Sequence, residues 1–301
     1  MRHPLRGRIV IASAVAGLAL LAPLPVAAGF SLGSGAEDLV RAGLPLSPSP
    51  TPAPTEPALA VPAQPVSPSP QPASPSRQPV SAVPITSGSG ERAEVAITLD
   101  ADLSEHTLYR IRQGSVPAQV NFAVLDYLEA TGTPSTVFVT GLWALEYPDV
   151  MDRMAGNPIY ELANHSWDHS AWTDNCYGLP TVQGDPAVQV QMTAEVIKQH
   201  TGTYPSFFRF PGLCHNQAHV DFVAQLGERT VDFDLSGSDA FAKSPSAVAQ
   251  SLLSQVRPGS IIVLHLNGAP AAPVTSQILA ELVPGLTAMG LQPVTMTELM
   301  R

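Results

Sequence analysis

Along residues 91–301 the apolar positions alternate between two spacings. Short apolar or alternating runs read as strands: "EVAITL" (94–99), "STVFVTG" (135–141), "PIYELA" (158–163), "SFFRF" (206–210), "TVDFDL" (230–235), "SIIVLHL" (260–266) and "LQPVT" (291–295). The run at 260–266 is continuously apolar, as in strands covered on both faces. Between the runs the spacing becomes helical. "VNFAVLDYLEATG" (120–132) stops at Gly132, with Pro134 beyond. Asp185 and Pro186 open a helix that stops at Gly202, and Ser244 with Pro245 opens "SAVAQSLLSQV". A short helix near 219–226, a helix across 274–289 and a terminal helical turn complete the set. About seven strands alternating with helices predict an α/β fold on a parallel sheet, open or closed, and the length favours a barrel.

Ahead of residue 91 the pattern differs. Arg2, Arg6 and Arg8 precede the apolar run "IVIASAVAGLALLAPLPVAAGF", which ends in small residues. This reads as an export signal over 1–28, cut after Ala28. An uncleaved membrane anchor is the alternative, disfavoured by Pro23 and Pro25. Residues 29–90 read as a disordered linker rich in Pro, Ser and Ala; 14 of the chain's 31 prolines fall in 45–84. Such a segment cannot bury a core and favours polyproline II, a semi-rigid spacer. The expected location is secreted, or attached to the cell wall or surface.

Charge narrows the partners. The net charge is −10, and Lys198 and Lys243 are the only lysines. No basic stripe exists for a phosphate backbone, so nucleic acid is excluded. The chain has two cysteines, Cys176 and Cys214. Export to an oxidising space predicts a bond between them, with two buried free thiols as the alternative. The expected state is a monomer.

In parallel barrels function collects at the C-terminal ends of the strands. Asp100 and Asp102 follow the first run, and His165 and His169 follow the third. Arg209 ends the fourth, Asp234 ends the fifth with Asp239 beyond it, and His265 lies near the end of the sixth. Taken singly, each has an ordinary reading: a capping Asp, a hydrogen-bonded core His, or a surface pair of His on one side of a helical turn. Only 13% of the chain is charged, so this many ionisable strand ends point to one shared mouth. Two imidazoles and a carboxylate suit zinc and its neighbours. With a second carboxylate as base and a buried His as acid, the set fits hydrolysis of an amide or ester.

These residues, in this order, resemble the polysaccharide deacetylases (carbohydrate esterase family 4, the NodB-homology domain), over about residues 92–301. "ITLDAD" resembles the family's Thr-Phe-Asp-Asp, and "NHSWDH" its His-x-x-x-His motif. "FRFPGLCHN" resembles Arg-x-Pro-Tyr-Gly, "DLSGSDAF" resembles Asp-x-x-Asp-Trp, and "IIVLHLN" the motif in which Leu precedes His. The resemblance implies a distorted (β/α) barrel over 91–301 that removes N-acetyl or O-acetyl groups from glycans with a divalent metal: zinc first, with cobalt, nickel or manganese as alternatives. It implies Asp100 as base, Arg209 as the residue orienting it, His265 as acid, and Asp239 (less so Asp234) as the carboxylate behind that His. It implies Asp102, His165 and His169 as metal ligands.

The motifs depart from the family at three places. Ala101 stands where the family has its metal-binding Asp, so Asp102 is the substitute, with the strand end expected to bend to bring it round. Gly212 stands in place of the Tyr, leaving a backbone N–H for the oxyanion. The Trp of the fourth motif is missing, and Phe241 is the expected apolar wall. Two other readings remain: a metal-independent amide hydrolase of the same superfamily, and a carbohydrate-binding wall protein with a dead site.

Overall fold

The computed structural model describes residues 77–301; the expected signal and most of the proline segment lie outside the described residues. In chain order the elements are β1 (Glu94–Ala101), α1 (Glu105–Arg112), α2 (Phe122–Thr131), β2 (Ser135–Val139), α3 (Gly141–Glu146), α4 (Pro148–Ala155), β3 (Tyr160–Asn164), α5 (Pro186–Thr201), β4 (Phe207–Phe208), α6 (Gln217–Gln225), β5 (Arg229–Thr230), β6 (Leu235–Ser236), α7 (Pro245–Leu253), β7 (Ile261–His265), α8 (Thr275–Ala288), β8 (Gln292–Val294) and α9 (Met296–Leu299). Every strand pairing is parallel, in the order β5-β4-β3-β2-β1-β7-β6. β8 pairs with the start of β1, on the edge that β2 occupies further along. The result is the expected α/β architecture, a parallel sheet curled into a distorted barrel with helices outside.

The run read as one fifth strand is two. β5 pairs with β4, and β6 pairs with β7 at the other end of the sheet. Only 231–234 separate them, so the sheet curls until its ends approach each other. Val231 still donates its N–H to Phe208 O of β4, and it also bridges to Ile85. Alternation alone could not reveal this change of partner, because the apolar period continues through it.

Helix ends follow local chemistry. Asp185, Ser244 and Ser104 accept N-terminal amides of α5, α7 and α1. Gly132 and Gly202 close α2 and α5 in the left-handed region. Three helices lack a sequence prediction: α1 buries no residue, and α3 and α4 are short. A helix without an apolar stripe has no period to detect.

Strand alternation divides the core. Val95, Ile97, Leu99 and Ala101 of β1 pack with the helices in one cluster. Ala96 faces inward, in a second cluster with Phe138, Ala163, Phe207, Ile261 and the α9 residues Met296 and Leu299. The inward rows end in polar groups: Ala96–Thr98–Asp100, Ala163–His165, Phe207–Arg209 and Ile261–Val263–His265. The barrel interior is therefore apolar at its base and ionisable at the C-terminal mouth.

Residues 77–90, assigned above to the linker, lie against this barrel. Val80 N–H donates to Ala224 O, Ile85 N–H to Thr230 O and Gly88 N–H to Gly259 O. Arg77 reaches the fully buried Glu228 at 2.8 Å. Ile85 belongs to the interior cluster.

Candidate metal and catalytic site

Register sets the centre of the site. Asp100 of β1 lies opposite His265 of β7, so two inward ionisable groups meet at one level of the sheet. Asp102 shares their face, because a residue two positions along a strand points the same way. Ala101 between them goes into the helix-side core, fully buried. The expected bend is thus not needed to bring Asp102 round. Asn267 holds it instead: Asp102 N–H donates to Asn267 Oδ1 at 2.9 Å, and Asn267 Nδ2 donates to Asp102 O at 2.7 Å.

The histidine pair is not on a helical turn. His165 continues the β3 ladder, its N–H donating to Val139 O. Ser166 and His169 both adopt left-handed φ, 68° and 59°, and the loop folds back to bring the two rings 5.1 Å apart. The surroundings fix this costly backbone. Asn164 Oδ1 accepts from Ser166 N–H, Gln189 Oε1 from Trp167 N–H, and Thr193 donates its hydroxyl to Ser166 O. Gly141 lets Trp167 approach, since a Cβ there would lie 2.1 Å from the indole.

Asp102 Oδ1 lies 3.3 Å from His165 Nε2 and 3.6 Å from His169 Nε2. One ligand atom from each of the three residues fits within 4.8 Å of the others. His165 Nδ1 is 2.9 Å from Arg209 O, a carbonyl that can only accept. Nδ1 therefore carries the proton, and the Nε2 lone pair faces Asp102. Asp102 Oδ1 is buried without a hydrogen-bond partner. A bare buried carboxylate oxygen between two imidazoles is what a divalent cation would satisfy, so the donor set fits a metal.

Burial alone would raise the Asp102 pKa, but His169, His165 and His265 around it hold the carboxyl well below its usual range. Burial pushes His169 down, towards the neutral form that ligates. His165 moves up, because Asp100 and Asp102 outweigh its burial.

On one side of the three stands a carboxylate held by a guanidinium. Arg209 is 1% exposed, yet its donors are engaged. Nη1 donates to Asp100 Oδ1 at 2.7 Å and Thr98 Oγ1 at 2.9 Å, Nε to Val231 O and Nη2 to Asp232 O. Its Cζ lies 4.0 Å from the Phe138 ring centre. Asp100 Oδ2 faces His165 Nε2 at 3.8 Å.

On the other side, His265 Nδ1 lies 2.8 Å from Asp239 Oδ1, and Asp239 Oδ2 accepts from His265 N–H and the Thr275 hydroxyl. His265 Nε2 is left facing Asp102 Oδ2 at 3.9 Å. Burial would lower the His265 pKa, but Asp239 and the site carboxylates push it up to about 9. Asp234 is elsewhere, at the opposite end of β7, accepting from Ile261 N–H and the Ser260 hydroxyl and pairing with Arg257. Asp239, not Asp234, is thus the carboxylate behind His265.

Cys176 and Cys214 form a disulfide, tying the loop after His169 to the turn after Arg209. Thr98, Asn164, Asn267 and Thr275, all in contact with this site, have no assignment from sequence. Thr98 shares the inward row of Asp100, a signal that parity carries. Thr275 is remote in sequence and has none.

Residues 88–231 match the family model for polysaccharide deacetylase. Among curated relatives, the uncharacterized protein YlxY of Bacillus subtilis is 26% identical over 59% of the chain; the chain spans about half of that protein, 52%. The peptidoglycan-N-acetylglucosamine deacetylase of Bacillus cereus is 23% identical, covering 71% of this chain and 70% of its own. A solved peptidoglycan N-acetylglucosamine deacetylase superposes with TM-score 0.60 at 22% identity, over 71% of this chain and 91% of its own. A family 4 acetyl xylan esterase from Clostridium thermocellum, solved with cobalt, gives TM-score 0.53 at 26% identity, over 68% and 89%. Residues 88–231 are thus similar to the polysaccharide deacetylases, and the barrel shares the fold of a solved peptidoglycan N-acetylglucosamine deacetylase.

Proposed function

We propose that the chain is an exported, metal-dependent deacetylase that hydrolyses acetyl groups, N-acetyl first, of a cell-wall or extracellular polysaccharide. The observation that carries this is the bare Asp102 Oδ1 between His165 and His169, flanked by Asp100–Arg209 and by His265–Asp239. Residues 1–28 direct export, the proline segment serves as a spacer, and the barrel acts on the glycan. Among the described residues no helix is long and apolar enough to cross a membrane.

Asp102, His165 and His169 hold the ion, zinc before cobalt, nickel or manganese. A divalent ion supplies Lewis-acid polarisation of the acetyl carbonyl and eases the ionisation of water. The remaining work belongs to the side chains. Arg209, steadied by Thr98, occupies Asp100 Oδ1, which leaves Oδ2 to take a proton from the attacking water. The oxygen of the deprotonated water adds to the acetyl carbon. His265 Nε2, protonated because Asp239 supports the imidazolium, gives its proton to the departing amine nitrogen. The amide C–N bond breaks, leaving acetate and a free amino sugar.

The test is acetate release by the purified chain from chito-oligomers, peptidoglycan fragments and acetylated xylan, with and without chelator. Release that chelator abolishes and zinc or cobalt restores is expected. Glycan binding without release from any of these substrates would mark a dead site.

A further inference from the structure

Tyr177 and Phe241 are the two most exposed large apolar side chains among the described residues, 86% and 88%. Both sit on loops at the barrel mouth. Phe241 lies two residues beyond Asp239, the carboxylate on His265. Tyr177 follows Cys176, whose disulfide to Cys214 draws its loop onto the turn just after Arg209. In that turn Gly212 has no side chain and a φ of 62°. A Cβ there would lie 2.8 Å from Cys176 Sγ and 3.2 Å from Tyr177 Cδ2, so the disulfide and the tyrosine ring take the space that a side chain at 212 would enter. Tyr177 itself has φ 49°, a left-handed backbone that is unusual away from glycine. Cys176 beside it is buried while the ring stays in solvent, so the covalent tie presents the aromatic face outward. The ring is thus held in solvent beside the turn that follows Arg209.

We propose that Tyr177 is a substrate-contacting residue: its ring stacks on a sugar of the glycan next to the acetylated unit, so the site prefers chains of several sugars over a single one. This rests on the deacetylase reading. A pyranose presents a face of C–H groups, and an aromatic ring with a polar tip suits such a face at a wet surface. The disulfide holds the platform in place before binding, so little ordering is lost when the sugar arrives. Phe241 offers a second such ring on the His265 side of the mouth.

The experiment uses the full chain loaded with zinc, with Tyr177→Ala and Tyr177→Phe beside the wild type. Acetate release is followed on N-acetylglucosamine and on its oligomers of increasing length. The wild type is expected to improve in KM as the oligomer grows. Tyr177→Ala should raise KM for the longer oligomers by about tenfold, leave kcat and metal content unchanged, and remove the benefit of length. Tyr177→Phe should retain it. Equal KM values for the wild type and Tyr177→Ala at every length would overturn the proposal. So would damage by Phe as large as by Ala, which would assign the role to the hydroxyl. Calorimetric binding of chito-oligomers, xylo-oligomers and peptidoglycan fragments separates this from the deacetylase reading. A wild type that binds one of them about tenfold more tightly than Tyr177→Ala supports the platform even if no acetate is released. A wild type that binds none overturns it.

Discussion

Asp239 grips His265 at two points, Oδ1 on the ring Nδ1 at 2.8 Å and Oδ2 on the backbone N–H at 2.8 Å. One carboxylate thus fixes both the position of the strand end and the orientation of the imidazole. Thr275, on α8, steadies the same carboxylate.

From this grip follows the behaviour of the proposed acid. His265→Ala should lower turnover by about 10²–10⁴ with metal content intact. Asp239→Asn should move the alkaline limb of the pH–rate profile to lower pH. Asp239 raises the His265 pKa, so removing its charge lets the imidazolium lose its proton earlier as pH rises. An unmoved limb in Asp239→Asn would separate the two residues.

Arg209→Lys should cost turnover without emptying the metal site. A single ammonium cannot serve Asp100, Thr98 and the carbonyls of Val231 and Asp232 together. Arg209→Ala should in addition destabilise the domain by about 3–5 kcal/mol, because Asp100 would stay buried without its partner. Chemical denaturation with acetate release on the same variants measures both.

Strand ends were the legible part of this site. An inward row that begins apolar and ends in Asp, His or Arg announces itself through period two, so Asp100, Arg209 and His265 stand out. The third ligand was less clear, since Ala101 interrupts the motif; parity along β1 and the clamp from Asn267 bring Asp102 into place. The loop carrying His169 followed no period. Its left-handed residues are held by Asn164, Gln189 and Thr193, and only the last two share an element, α5. The split of β5 from β6 stayed hidden because an apolar run does not record which neighbour it pairs with. The packed start of the domain was masked by proline content, although Ile85 reaches the barrel interior.

That packed start carries a pH signature. Glu228 is fully buried, and its burial outweighs Arg77 and Asn164 to push its pKa up to about 8. An acid whose folded pKa is raised keeps its proton while the unfolded chain releases one. Stability from this group is therefore greatest below pH ~4.5 and declines as pH rises to about 8. Glu228→Gln should flatten that decline in denaturation curves taken across the range. An identical slope in the variant would show that Glu228 ionises normally.

The disulfide should be worth about 2–4 kcal/mol, lost in a chain carrying both Cys176→Ser and Cys214→Ser. The same variant should show a raised KM for long oligomers, because its tyrosine platform is no longer tethered. Peptide mapping without reductant should recover Cys176 linked to Cys214.

Metal content measured alongside acetate release tests the central claim most directly. The purified chain should hold about one divalent ion. Chelation should abolish acetate release from N-acetylated oligomers, and zinc or cobalt should restore it. Asp102→Ala should empty the site as thoroughly as His165→Ala does. Full acetate release from chelated protein, or an Asp102→Ala variant that keeps its ion, would contradict the account.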